Sequence, residues 1–78
     1  MVTIKASVTT HHRVRVTKQN LEKYAAGRTA PELLQESFGF LLEREPNTSI
    51  LASFDLPLIA RYFPEYEGEI QTRLRHNG

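Results

Sequence analysis

The period of the apolar positions changes along the chain. In Val2-Thr3-Ile4-Lys5-Ala6-Ser7-Val8-Thr9 every second residue is apolar, which puts Val2, Ile4, Ala6 and Val8 on one face of a half-buried strand. Thr9-Thr10-His11-His12 interrupts the pattern without glycine or proline, and Arg13-Val14-Arg15-Val16-Thr17 then alternates again, with arginines opposite valines. The two runs read as a hairpin or as one long irregular strand, and no Asn-Gly type turn decides between them. Beyond Thr17 the period becomes helical. Thr17 is placed to cap a short helix over 18–26, with Leu21, Tyr24 and Ala25 on one face and Gly27 as its stop. Thr29-Ala30-Pro31-Glu32 matches a capping box that opens a second helix reaching about residue 44. Its wide apolar face carries Leu33, Leu34, Ser37, Phe38, Leu41 and Leu42, with Phe40 near the flank. Gly39 in mid-helix suits either the close approach of another helix or simple tolerance.

Pro46 ends that helix, since the residue before a proline is pushed out of the helical region. Asn47-Thr48-Ser49 offers caps for a short helical turn bearing Ile50, Leu51 and Phe54, and Asp55 is a candidate cap for a helix over 56–63. Pro64 breaks it. Residues 65–74 then repeat Tyr66, Ile70 and Leu74 at four-residue spacing with acids between them, an amphipathic helix that frays over 75–78. The expected architecture is α+β: one or two N-terminal strands followed by three to four short helices. It forms one small domain over 1–78, with a strand-and-helix core in 1–45 and a helical, acidic and aromatic extension in 46–78.

Composition narrows the setting. The chain has 78 residues, 40% hydrophobic and 24% charged, the mix of a soluble globular protein. No apolar stretch is long enough to span a bilayer or to form a signal-peptide core, so a cytoplasmic protein without membrane contact is expected. The absence of cysteine removes disulfides, thiolate metal sites and cysteine nucleophiles, and fits a reducing compartment. A core this small is marginal by itself, and that together with the wide apolar face of the second helix points to a homodimer.

The net charge of +1 hides a division. Residues 1–28 hold six bases (Lys5, Arg13, Arg15, Lys18, Lys23, Arg28) against Glu22, a balance of +5, and residues 29–78 balance at −4. Such a split suggests two surfaces for two kinds of partner. Catalytic chemistry is thin by comparison. His11 and His12 point to opposite faces of a strand and do not share a metal easily, and His76 falls in the expected tail. No phosphate loop, nucleophile elbow or zinc-binding helix motif occurs. Glu65, Glu67 and Glu69 diverge on a helix and suit a solvated face. Neither an enzyme nor a cofactor is expected. On a strand, His11, Arg13, Arg15 and Thr17 share one face, a donor-rich row suited to base edges in the DNA major groove. The same charges would equally suit an edge strand guarded against aggregation.

The order of basic strand Arg13-Val14-Arg15-Val16-Thr17, short helix from Leu21 to Ala26, turn Gly27-Arg28-Thr29 and second helix opening Pro31-Glu32-Leu33-Leu34 resembles the ribbon-helix-helix repressors and antitoxins. The resemblance covers about residues 11–45 and is one of pattern. It implies an intertwined homodimer in which Arg13, Arg15 and Thr17 face double-stranded DNA, while Arg28, Thr29 and the Ala30 amide meet the phosphate backbone. The short first helix and the run from Val2 to Val8 fall outside that pattern. The segment after Pro46 resembles the partner-binding extension of antitoxins, in which Phe54, Ile59, Tyr62, Phe63 and Tyr66 would lie in the groove of a toxin or other protein; the same side chains would equally form the core of a compact domain. The function these features suggest is a small DNA-binding regulator of antitoxin type. The alternative is a protein-interaction or structural module without nucleic-acid contact.

Overall fold

The computed structural model describes residues 2–76 and has three strands in one sheet beside four helices, the α+β class expected from the sequence. The first two strands, β1 (Val2–Ile4) and β2 (Thr10–Arg15), run antiparallel with Val2 opposite His12 and Ile4 opposite Thr10. This settles the choice left open above: the two alternating runs pair with each other. The pairing also redraws their limits. β1 ends at Ile4, and β2 runs through the Thr10-His11-His12 segment that interrupts the sequence pattern.

His12 takes an apolar position on the inward face of β2 because its polar atoms are satisfied there. Its ring is 2% exposed and lies 5.4 Å from the Phe38 ring. Nδ1 is 2.8 Å from the Leu51 carbonyl, which only accepts, so Nδ1 carries the proton and Nε2 accepts from Thr10 Oγ1 at 2.8 Å. The buried amide of Asn47 completes the chain, donating to the Val8 carbonyl and to Thr10 Oγ1. Asn47 therefore tethers the β1–β2 connection; it does not cap a helix.

Thr17 begins α1 (Lys18–Tyr24) with a reciprocal capping box: its hydroxyl accepts from the Asn20 amide, and Asn20 Oδ1 accepts from the Thr17 amide. The helix stops two residues before the expected Ala26, since Ala26 and Gly27 both adopt positive φ, 52° and 84°. Thr29 caps α2 (Ala30–Leu42) through the Glu32 amide. Here the Glu32 carboxylate takes the Thr29 hydroxyl, not the backbone N–H that a full capping box requires. α2 is the central helix. Phe38 faces the sheet beside His12 and Phe54, and Phe40 faces the opposite helix beside Tyr66 and Phe63. Two packed sides explain why Phe40 is wholly buried although it lies on the flank of the stripe, while Leu42 is exposed.

After a short 3₁₀ turn, Asn47–Ser49, the chain forms a third strand where helix was expected: β3 (Ser53–Asp55) lies parallel to β2, with Phe54 beside Val14. Asp55 thus closes a strand, and α3 (Leu58–Tyr62) starts without a side-chain cap. α4 (Tyr66–His76) buries Tyr66, Ile70 and Leu74 at the expected spacing. It continues to His76, past the point where fraying was expected; Asn77 and Gly78 lie outside the described residues. The described residues from Pro46 onward therefore contribute to the core: they supply one strand of the sheet and the helix opposite α2. Each fully buried aliphatic or aromatic side chain of this layer contributes about 1.5–3 kcal/mol. Among the described residues no helix is long and apolar enough to cross a membrane.

Candidate functional site

Two surfaces stand out, one polar and one apolar. The polar surface is the outer face of the sheet. Strand alternation sends Val2, Ile4, His12, Val14 and Phe54 inward to the helices and leaves Thr3, His11, Arg13, Arg15, Ser53 and Asp55 outward and exposed. No helix among the described residues covers this side. Among the described residues, neither Arg13 nor Arg15 has an ion-pair or hydrogen-bond partner for its guanidinium, and the nearby Lys5 and Lys18 have no ion pair. Asp55, the register neighbour of Arg15, is the one acid on these strands.

The helical side differs. Arg44 lies 3.6 Å over the Phe40 ring and pairs with Glu43, Glu65 and Glu69; Arg73 pairs with Glu43 and Glu69. Arg73 Nη2 donates to Glu43 Oε1 at 2.6 Å, and this bond holds the Glu43 carboxyl below the usual carboxylate range. Arg44 and Arg73 are thus neutralised locally, whereas Arg13 and Arg15 stand together on the sheet without an ion-pair partner among the described residues.

The structure divides the expected DNA-contacting residues. Arg13 and Arg15 are free and adjacent on the open face. Thr17 and Thr29 use their hydroxyls as helix caps. Arg28 is half-buried: its Nε donates to the Leu74 carbonyl, near the C-terminal end of α4, and its guanidinium lies 3.4 Å from Glu32. The Glu32 carboxylate already occupies the first turn of α2, where a phosphate was expected. β2 has β1 on one edge and β3 on the other. Pairing β2 with its copy into an intertwined ribbon would require one of these neighbours to leave.

The apolar surface is an open groove of about 450 Å³ between the end of α2, the 3₁₀ turn, β3 and α3. Phe54, Ile59, Tyr62 and Phe63, four of the five residues expected to hold a partner, line it. Tyr66, the fifth, is fully buried against Phe40 and Tyr24. Leu41, Glu45, Ile50 and Leu51 also line the groove and were missed in the sequence. Leu41 sits in the stripe read as core, and Glu45 is one acid among many. Ile50 and Leu51 belong to the stretch read as a short helical turn, so neither stood apart as a lining residue.

A small recess at His11, His12, Arg13, Ala52 and Ser53 has no carboxylate to work with a histidine. Among the described residues no three histidine or acidic side chains gather where they would hold a metal ion. Comparison with models of protein families, with curated proteins and with solved structures finds no match, so function rests on the chemistry of these two surfaces.

Proposed function

We propose that this chain is a small DNA-binding regulator that docks duplex DNA on the open face of its sheet, with Arg13 and Arg15 as the reading residues. The observation that carries this reading is that both guanidinium groups are exposed, unpaired and on one uncovered strand face. Ion-paired arginines elsewhere in the chain are committed to the fold; these two are left for an external anion.

The dimensions agree. Three strands are about 10 Å across between the outer two, and the major groove admits about 12 Å. Alternate residues on a strand are about 6.8 Å apart, close to two base-pair steps of about 3.4 Å each. Arginine can form two parallel bonds to a guanine edge, while His11, Thr3 and Ser53 add hydrogen-bonding groups on the same face. The strands bring no phenylalanine, tyrosine or tryptophan to this face, which favours a duplex over a single strand bound by stacked bases. The interface is the sheet of one chain, so it does not depend on a ribbon shared between two.

The test is a titration of labelled duplex DNA of about 25 base pairs with the wild type and with the R13A/R15A variant, from low to physiological salt. Both arginines are exposed, so the variant should keep the fold. The wild type should bind with a steep salt dependence, and the variant should bind weakly, with a slope lower by up to about 2. Absence of binding at low salt, or binding that the variant leaves unchanged, would remove the sheet face from consideration.

A further inference from the structure

Two of the four exposed large apolar side chains among the described residues belong to one place. Leu51 and Tyr62 line the groove and are 51% and 67% exposed, far from the burial usual for such residues in a small core. An apolar patch of this kind marks a docking surface.

Two features of the groove name its occupant. The first is shape: one surface carries both a hole, floored by Leu41, Ile50 and Ile59, and a knob, the projecting ring of Tyr62. The second is charge. Glu45 lines the groove half-buried, with no ion pair among the described residues, although Glu43, Glu65 and Glu69 are all paired. Arg61, next to Tyr62 on α3, is exposed and likewise without an ion pair. The groove holds a knob, a hole and an unpaired carboxylate, and α3, which lines it, also carries an unpaired cation, the pairs that a self-complementary two-fold interface requires.

We infer that the groove is the homodimer interface, occupied by a second copy of this chain. Tyr62 of each protomer enters the groove of its partner, and Arg61 of each meets Glu45 of the other. Tyrosine and arginine are the residue types that interface centres favour. The contact leaves both sheet faces open, so it is independent of the DNA reading and gives dimerisation without a shared ribbon.

Sedimentation equilibrium from micromolar to hundreds of micromolar protein tests the inference. The wild type should reach dimer mass within that range. Y62A should raise the dimer dissociation constant about a hundredfold. E45R and R61E, each placing like charges in contact twice, should each raise it about tenfold, and the E45R/R61E double variant should recover most of the loss. Circular dichroism and thermal melting establish that each variant is folded, and recovery in the double variant is itself possible only for folded chains. A wild type that stays monomeric throughout overturns the inference and leaves the groove to a different protein. A dimer indifferent to Tyr62, or one in which the double variant is no better than the singles, overturns it as well.

Discussion

Tyr66→Phe separates what the phenol hydroxyl does from what the ring does. The ring is fully buried, with centroids 5.3 Å from Phe40 and 5.4 Å from Tyr24, and phenylalanine keeps both contacts. What is lost is the 2.6 Å hydrogen bond between the phenol and Ser37 Oγ. Ser37 Oγ donates to the Leu33 carbonyl at 2.7 Å, so its hydrogen is engaged there and the phenol is the donor to it. The substitution strands no buried donor, and near neutral pH it should cost about 1 kcal/mol, one net hydrogen bond. In alkali the sign reverses. Burial pushes the phenol from its ordinary value near 10 up to about 12, partly offset by the Ser37 hydroxyl, which can turn to donate to a phenolate. Stability from this group is complete below the unfolded value and is lost as pH rises through the folded one, because the unfolded chain ionises first. The difference corresponds to about 3 kcal/mol, and the variant does not share the loss. The two stability curves should therefore cross near pH of about 11, with the variant ahead by about 2 kcal/mol beyond pH of about 12. Urea denaturation followed by circular dichroism over a pH series gives both curves. A cost at neutral pH well above 2 kcal/mol, or a gap that stays constant through the alkaline range, would refute the argument.

Three other positions give stability predictions. Ala26 holds φ of 52° and Gly27 φ of 84°, so Ala26→Gly should stabilise the chain by about 0.5–1 kcal/mol. Gly27→Ala, whose new Cβ would meet nothing within 4 Å, should lose about 1 kcal/mol from the backbone alone; thermal melting of the two variants measures both signs. His12→Leu keeps a comparable volume beside Phe38 but leaves the Leu51 carbonyl without its donor and the Thr10 hydroxyl without its acceptor, only the Asn47 amide still bonding Thr10 Oγ1, and should cost about 2–4 kcal/mol. A loss below about 1 kcal/mol in denaturant melts would show that the buried polar chain through Asn47 adds little to the fold.

Local chemistry was legible wherever the responsible atoms lie within a few residues of one another. The Thr17 and Thr29 caps each join groups three positions apart, and Tyr66, Ile70 and Leu74 share a face because helix geometry places every fourth residue there. Strand alternation likewise put Arg13 and Arg15 on one face before any partner strand was known. The same locality misled at Asp55, which has the chemistry of a cap but closes a strand; for His12 alternation assigned the face opposite His11 and Arg13, but not the Leu51 carbonyl, 39 residues away, that satisfies its ring.

What only the tertiary structure decided are the relations between elements. A three-residue strand such as β3 has too few positions to show a period; it exists because β2 offers it a ladder, through pairings 40 residues apart in sequence. Tyr62 and Tyr66 are four residues apart and read alike, yet one projects beside an open groove and the other is sealed in the core. Their difference comes from where α3 and α4 meet α2, a matter of packing that neither residue's neighbours encode. The openness of the arginine face has the same origin. Alternation determines that Arg13 and Arg15 point the same way, but whether a helix, a second sheet or water lies there depends on which side of the sheet the helices cover. Here α2 packs on the side of His12 and Phe54, because that is where the sheet is apolar, and the arginines are left to solvent.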